Sequence, residues 1–254
     1  MQAVILAAGI GTRLKTKTDR IPKGLIEIGG NPLLEYSLKA LLHNRISEVI
    51  MIVGHLHEDI KRRFGTRYHD LRIEYVHNPK YASTGSMYSL ATAQDLIQDD
   101  IILLESDLLY EPRAMDILLN SQRKNALLVV GLSGSGDEVY ICTKDDDQIV
   151  ELGKYIPESS RKNAIGELAG ISKFQPAFLE CLFRQAQKDF KKGFFHYHYE
   201  ECVFNTSLTT EPVYAVLGND LAWIEIDTEA DLKRAQEQVY PIMMERTKQK
   251  RGSG

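Results

Sequence analysis

Strand-like and helix-like segments alternate through the first half of the chain, and this alternation constrains the fold more than any other feature. Apolar runs rich in β-branched residues lie near residues 2 to 8, 48 to 54, 72 to 77, 101 to 106 and 125 to 131. Helical patterns separate them, over Pro32 to Arg45, His57 to Phe64, Ser86 to Ile97 and Pro112 to Asn120. Such alternation predicts βαβ units, and hence a parallel sheet with helices on its faces. We expect Asn31 to cap the first helix and Pro32 to occupy its first position.

The pattern changes at about residue 132. Short strands are predicted near residues 138 to 143, 148 to 153 and 167 to 174, and helices near 175 to 192 and 198 to 207. This succession predicts a small antiparallel insertion beside the sheet, over about residues 132 to 210. A strand from Leu221 to Ile226 follows, and the capping-box pattern Thr228-x-x-Asp231 opens a last helix. The predicted fold class is therefore α/β, with a Rossmann-like mixed, mainly parallel sheet flanked by helices.

The length and composition are those of one large folded domain. The chain has 254 residues, of which 43% are hydrophobic and 26% charged, which suffices for a substantial buried core. We expect a single domain over residues 1 to 246. The end of the chain is charged and then Gly-Ser-Gly, so residues 247 to 254 are predicted to be a linker or an expression tail, compatible with a further C-terminal domain in a longer protein.

Charge and cysteine content exclude several classes of partner. The net charge is -4, so no overall basic field is available to hold a nucleic acid. Cys142, Cys181 and Cys202 lack any C-x-x-C spacing, which argues against a disulfide framework and a thiolate metal site. The apolar runs are shorter than the roughly 18 residues of a membrane span, and no basic segment precedes the first of them. A cytoplasmic protein is therefore expected.

The segment richest in chemical information runs from Leu6 to Leu14, Leu-Ala-Ala-Gly-Ile-Gly-Thr-Arg-Leu, and is followed by Pro22-Lys23. A buried strand leads there into a Gly-rich turn, whose backbone N–H groups can cradle phosphate oxygens. Arg13 and Lys23 add positive charge. No Gly-Lys-Ser/Thr follows, so this is not a Walker A loop, and Leu14 stands where a dinucleotide fingerprint has its third Gly or Ala.

This segment resembles the signature of the sugar-phosphate nucleotidyltransferase family. Three further segments fall where motifs of that family fall: Glu105-Ser106-Asp107, Gly166 to Ile171, and Trp223 to Thr228. The stretch Asn78 to Ser89 and the run Tyr199-Glu200-Glu201 resemble the branch of cytidylyltransferases that act on phosphocholine or 2-aminoethylphosphonate. The resemblance implies transfer of a nucleotidyl group from an NTP to a phosphorylated acceptor with release of pyrophosphate.

The resemblance also implies roles for individual residues. It places the nucleotide on Leu6, Ala8, Gly9, Gly11, Thr84, Gly85 and Ser86. It makes Asp107 and Asp227 ligands of Mg²⁺, each just past the end of a predicted strand, with Glu225 in reserve. Lys23 and Arg13 become the catalytic cations that neutralise the reacting phosphates. The alternatives are that each aspartate caps a following turn or helix, and that Lys23 is a solvated surface lysine.

The acceptor is expected to carry a phosphoryl or phosphonyl group at one end and a cationic amine at the other. Lys154 resembles the lysine that holds the acceptor's phosphoryl group, although a solvated loop lysine is an equal alternative. Quaternary ammonium prefers an aromatic cage, whereas a primary ammonium prefers carboxylates. The candidates for this end are Glu167, Glu201, Tyr81, Tyr88 and Trp223, each with ordinary packing or solvation as its alternative.

Two other patterns have simpler interpretations. His196-x-His198-x-Glu200 would place three metal ligands on one face only in a strand, but a helix is predicted around residue 198. The apolar stripe Leu232, Ala235 and Val239 is expected to be core rather than a partner surface.

The sequence therefore predicts a Mg²⁺-dependent enzyme that uses CTP and 2-aminoethylphosphonate. Phosphocholine is the alternative acceptor, and a non-catalytic nucleotide-binding sensor is the alternative from another class.

Overall fold

A ten-stranded mixed sheet forms the centre of the computed structural model, which describes residues 1 to 14 and 20 to 252. The strands are β1 Gln2–Ala7, β2 Glu27–Ile28, β3 Asn31–Pro32, β4 Glu48–Val53, β5 Arg67–Tyr68, β6 Leu71–His77, β7 Ile101–Glu105, β8 Leu108–Tyr110, β9 Ala126–Val130, β10 Tyr140–Thr143, β11 Ile149–Gly153, β12 Gly166–Phe174, β13 Tyr214–Leu217 and β14 Trp223–Glu225. The helices are α1 Leu33–His43, α2 His57–Phe64, α3 Ser86–Ala91, α4 Arg113–Asn120, α5 Glu158–Arg161, α6 Pro176–Lys191, α7 Tyr199–Ser207, α8 Glu229–Arg234 and α9 Tyr240–Gly252.

The sheet is parallel where it is formed by strands from the N-terminal half of the chain, and mixed beyond them. Strands β6, β4, β1 and β7 lie side by side and run parallel, in that order. Beyond β7, β12 is antiparallel to both β7 and β9, and β10 and β11 extend the same sheet. The predicted Rossmann-like, mainly parallel sheet is confirmed, but the antiparallel strands continue this sheet instead of lying beside it.

Alternation along the buried strands sends side chains to two separate cores. From β1, Ala3 and Ile5 join the core on the side of α1, α2 and α4. Val4 and Leu6 join the core on the side of α3, α6 and α7. Because every residue from Ala3 to Ala7 is buried, β1 is fixed between two helical layers and its carboxyl end is a rigid platform.

The start of the first helix differs from the prediction. Pro32 is itself the N-cap residue and α1 begins at Leu33, because Asn31 pairs in the short hairpin of β2 and β3. The prediction that Asn31 caps the helix is therefore wrong. Its side chain accepts a hydrogen bond from Lys39 instead.

The C-terminal helical segment begins at the predicted capping box, in which the Thr228 and Asp231 side chains accept hydrogen bonds from each other's backbone N–H. Leu232 and Ala235 are buried in a third core, and Val239 packs against it, so the apolar stripe is core. Helix α9 extends to Gly252, where a linker was predicted from residue 247, and residues 253 and 254 lie outside the described part. Within the described residues, no helix has both the length and the apolar character needed to cross a bilayer.

Candidate active site

A cleft of about 320 Å³ opens at the carboxyl ends of β1 and β7. Chain order reverses between these neighbours, since β4 and β6 lie on one side of β1 and β7 on the other. Open α/β sheets bind their ligands at such a point. The predicted residues that line the cleft are Leu6, Ala8, Gly9, Gly11, Arg13, Lys23, Tyr81, Thr84, Gly85, Ser86, Asp107, Lys154, Glu167, Glu225 and Asp227.

Three predicted acceptor residues do not line this cleft. Glu201 is exposed on α7. The Tyr88 ring lies 5.2 Å from that of Phe190 and packs in an aromatic cluster with Phe190 and Phe195. Trp223 lines a smaller neighbouring pocket, and its indole N–H donates to the Ala169 carbonyl at 2.8 Å.

Lys23 lies between two carboxylates. It opens the single helical turn Lys23–Leu25, and its Nζ is 2.6 Å from Asp107 Oδ2 and also contacts Asp227 Oδ1. The antiparallel pairing of β8 with β14 brings these two aspartates together. Burial alone would lower the pKa of Lys23, but the charges of Asp107 and Asp227 outweigh this and raise it. Lys23 therefore carries a fixed positive charge and is not a solvated surface lysine.

An acidic cluster formed by Glu105, Asp107 and Glu225 adjoins Lys23. Carboxylate oxygens of the three residues lie within 4.8 Å of one another. Asp107 Oδ1 is buried and has no hydrogen-bond partner among the described residues. Burial and the charge of Asp107 raise the pKa of both Glu105 and Glu225.

These observations fit a hard divalent cation, which prefers carboxylate oxygens and would relieve the repulsion among them. The grouping differs from the predicted ligand set in one member. Asp227 is bound by Lys23 and, at 2.9 Å, by Arg13, whereas Glu105 joins the cluster. Glu105 was not predicted as a ligand; it stands two residues before Asp107 at the end of β7, and side-chain alternation with period two is the sequence signal that links the two.

The segment Thr84-Gly85-Ser86 is fixed against the chain that leads into α7. The Gly85 N–H donates to the Phe195 carbonyl at 2.7 Å, and a Cβ at Gly85 would lie only 2.1 Å from the Tyr197 carbonyl oxygen. Glycine is required there by this close approach. Ser86 Oγ accepts a hydrogen bond from the Tyr199 N–H at 2.9 Å, so this wall of the cleft is preorganised.

Asn78 supports the same segment through hydrogen bonds; it begins the stretch that carries the resemblance but was not predicted as a site residue. It is fully buried, and its amide donates to Thr84 Oγ1 at 3.1 Å and Ser89 Oγ at 3.0 Å. Its side-chain oxygen accepts from the Lys80 N–H. Asparagine directly before proline is a turn signal that can be read from the sequence.

A further part of the cleft lining, between Asp137 and β12, carries alternating charges. Lys154 Nζ is 2.9 Å from Asp137 Oδ1, and Arg13 also contacts Asp137. Glu167 accepts hydrogen bonds from the N–H and hydroxyl of Ser133 at 2.5 and 3.3 Å. Asp137 was not predicted as a site residue.

Glu200, next to the predicted Glu201, is a buried carboxylate that lines the cleft. Burial raises its pKa, against the opposing charges of His198 and Lys154. His198 lines the cleft with its Nδ1 3.4 Å from Ser86 Oγ. His196 does not line the cleft, and in the described part of the chain no metal-ligand group contains a histidine.

Comparison with known proteins gives the same assignment as the motifs. The chain is 27% identical over 95% of its length to a CMP-5'-(3-aminopropyl)phosphonate synthase from Streptomyces rubellomurinus, of which it spans 39%. It is 26% identical to a choline-phosphate cytidylyltransferase from Streptococcus pneumoniae, covering 93% of this chain and 97% of that protein.

Among solved structures, an inositol-1-phosphate CTP transferase from T. maritima shares the fold. It has a TM-score of 0.77 at 21% identity, over 96% of this chain and 94% of that one. The sequence profile of the MobA-like NTP transferase domain matches residues 3 to 152, which include the Gly-rich turn, Lys23 and Asp107. The chain therefore belongs to the family of MobA-like NTP transferase domains and is a nucleotidyltransferase.

Proposed function

We propose that this chain is a Mg²⁺-dependent cytidylyltransferase that transfers CMP from CTP to 2-aminoethylphosphonate and releases pyrophosphate. The observation that carries the proposal is Lys23, held between Asp107 and Asp227 beside an acidic cluster at the mouth of a phosphate-binding turn. A nucleotide-binding sensor does not need such a clamp. The two relatives named for CMP or cytidylyl chemistry support CTP as the nucleotide.

In the proposed reaction an oxygen of the acceptor's phosphonate attacks the α-phosphorus of CTP. The bond from this phosphorus to the β-phosphate oxygen breaks, and the electron pair leaves with pyrophosphate. Negative charge accumulates on both sides of the phosphorus, so positive charge and alignment provide most of the catalysis.

We assign the two positive residues to different groups of the substrate. Lys23 would contact the transferring phosphoryl group, and Arg13, at the end of the Gly-rich turn, would bind the leaving phosphates as a planar fork. Glu105, Asp107 and Glu225 would hold Mg²⁺, which when bound neutralises triphosphate charge.

The cleft wall favours an acceptor with a primary ammonium group. Among the described residues that line the cleft, Tyr81 and His198 are the only ones with aromatic rings, which is too few for a cage around a quaternary ammonium. Carboxylates are more numerous there. The two oxygens of Glu167 are already occupied by Ser133, which leaves Glu200 as the carboxylate for an N–H donor.

Phosphocholine is the second candidate acceptor. It is supported by the choline-phosphate cytidylyltransferase that aligns along nearly the whole chain. The first relative carries an aminopropylphosphonate in its name, and its primary amine and phosphonate match the wall described above.

We also propose that residues 1 to 246 act as one catalytic unit in a reducing cytoplasm, which suits three free cysteines. Residues of the insertion, about 132 to 210, would supply the acceptor side of this unit.

The test is a steady-state assay with CTP, Mg²⁺ and each acceptor in turn, in which turnover is measured as pyrophosphate release. We expect a higher kcat/KM for 2-aminoethylphosphonate than for phosphocholine. Faster turnover of phosphocholine would contradict the choice of acceptor, and CTP binding without pyrophosphate release would support the sensor.

Substitution at Glu200 identifies the carboxylate. Glu200→Gln should lower kcat/KM for 2-aminoethylphosphonate by about tenfold to a hundredfold, since the ammonium loses the charge of its partner, and should not lower kcat/KM for ethylphosphonate, which has no amine. The matched control is Glu201→Gln, at the exposed neighbour. Equal effects of the two substitutions on kcat/KM would show that Glu200 does not bind the acceptor.

A further inference from the structure

One carboxylate, that of Asp137, is shared by a cation on the nucleotide side and a cation on the acceptor side. Lys154 Nζ lies 2.9 Å from Asp137 Oδ1, and Arg13 Nη1 contacts Asp137 Oδ2. Each oxygen of the carboxylate therefore takes one cation. The proposed function uses Arg13 for the triphosphate, the family resemblance gives Lys154 to the phosphoryl group of the acceptor, and neither assigns a role to Asp137.

The segment that carries Asp137 has open space beside two of its glycines. Gly134 and Gly136 have φ of +70° and +84°, and no atom lies within 4 Å of a Cβ placed at either. The segment is therefore loosely packed on the side of these glycines. Glu138, the residue after Asp137, is fixed in place, because it is buried and accepts hydrogen bonds from the Gly136 N–H and the Tyr140 hydroxyl.

We propose that Asp137 couples the binding of the two substrates by holding Arg13 and Lys154 until the phosphate of either substrate displaces it. This inference rests on the proposed function, since it requires Arg13 to bind the triphosphate and Lys154 the phosphonate. Asp137 is then a positioning residue that touches neither reacting atom.

The coupling follows from the order of events. The first substrate must separate Asp137 from its cations, so its apparent affinity is its intrinsic affinity multiplied by the fraction of molecules in the unpaired form. An anionic first ligand also repels the carboxylate, and one movement of the segment releases both cations. The second substrate then binds without that penalty, and the effect is the same whichever substrate binds first.

The expected effect is moderate because the ion pairs are partly exposed. The side chains of Arg13, Lys154 and Asp137 are 51%, 27% and 32% exposed, and pairs of this kind are weak. We expect each substrate to tighten the binding of the other by about threefold to tenfold.

Isothermal titration calorimetry tests this with an α,β-methylene analogue of CTP, which cannot be turned over, and 2-aminoethylphosphonate, both in Mg²⁺. Each ligand is titrated into free protein and into protein saturated with the other. In Asp137→Asn and Asp137→Ala we expect each ligand alone to bind about threefold to tenfold more tightly and the mutual tightening to fall by the same factor. Asp145→Asn, an exposed carboxylate in the turn between β10 and β11, should match the wild type.

Two results would overturn the inference while leaving the proposed function intact. One is mutual tightening in the Asp137 variants that equals that of the wild type. The other is weaker binding of either ligand alone, which would make Asp137 a ligand of the substrate. A wild-type protein that binds neither ligand would refute the proposed function itself, and the coupling with it.

Discussion

Replacing Lys23 by methionine removes a positive charge from between two carboxylates and nearly preserves the volume of the side chain. In the native protein Lys23 Nζ lies 2.6 Å from Asp107 and also contacts Asp227. In the variant both carboxylates keep their charge but lose their shared cation. The substitution therefore separates the electrostatic role of Lys23 from its packing.

The magnitude follows from the burial of the three groups. Removing one partner of a fully buried pair destabilises a protein by about 3 to 5 kcal/mol. The side chains here are 11% to 17% exposed, so we expect about 2 to 3 kcal/mol, or a decrease in Tm of about 4 to 12 °C. Loss of a group that stabilises transition-state charge should lower kcat by about a hundredfold to a thousandfold.

The assays are thermal unfolding with and without Mg²⁺, CTP binding by calorimetry, and steady-state pyrophosphate release. We expect CTP to bind with less than about a tenfold loss of affinity, because Lys23 acts mainly in the transition state. Lys39→Met is the matched control, since Lys39 is a half-exposed partner of Glu35 on α1, and such a pair contributes about 0.5 kcal/mol. An unchanged kcat with a raised KM would show that Lys23 only holds substrate, and the reasoning would fail.

Three further predictions concern single residues elsewhere in the site and the core. Asp107→Asn should keep the fold but lower turnover by about a hundredfold or more, and near-native turnover at saturating Mg²⁺ would contradict the cation site. Gly85→Ala places a Cβ 2.1 Å from the Tyr197 carbonyl oxygen and should weaken CTP binding by about tenfold; unchanged affinity in calorimetry would remove this segment from the nucleotide site. Burial lowers the pKa of Lys173 from 10.5, so the unfolded chain binds this proton more tightly and the free energy of unfolding should rise with pH up to about 10.5. The difference in Tm between wild type and Lys173→Met, followed from about pH 8, measures this rise. A difference in Tm that does not change with pH would contradict the prediction.

The central sheet could be predicted from sequence because its strands are buried on both faces and separated by helices. The predicted segments near residues 2 to 8 and 101 to 106 are β1 and β7, within one or two residues. Strand β13, Tyr214–Leu217, was not predicted, because it has only four residues and its place depends on parallel pairing with β9. Short strands that exist through a distant partner carry little local signal.

The location of the cleft was also within reach of sequence reasoning, because carboxyl ends of parallel strands meet at one edge of the sheet. The choice between Glu200 and Glu201 was not. Successive residues of a helix point about 100° apart, so the run Tyr199-Glu200-Glu201 fixes which carboxylate enters the cleft only once the rotation of α7 is known. That rotation is set by Tyr199, which is buried and donates from its hydroxyl to Glu105 at 3.0 Å.

The charges in the cleft divide into those with internal partners and those without. Three cations, Lys23, Arg13 and Lys154, are paired with aspartates, and we propose phosphate groups as their ligands. The acidic cluster suits a divalent cation, which leaves Glu200 for a second positive group. A purely anionic acceptor would leave that buried carboxylate unmatched, at a cost of about 1 to 3 kcal/mol. We therefore infer that the acceptor is a zwitterion, and that removing its amine lowers kcat/KM in wild type more than in Glu200→Gln.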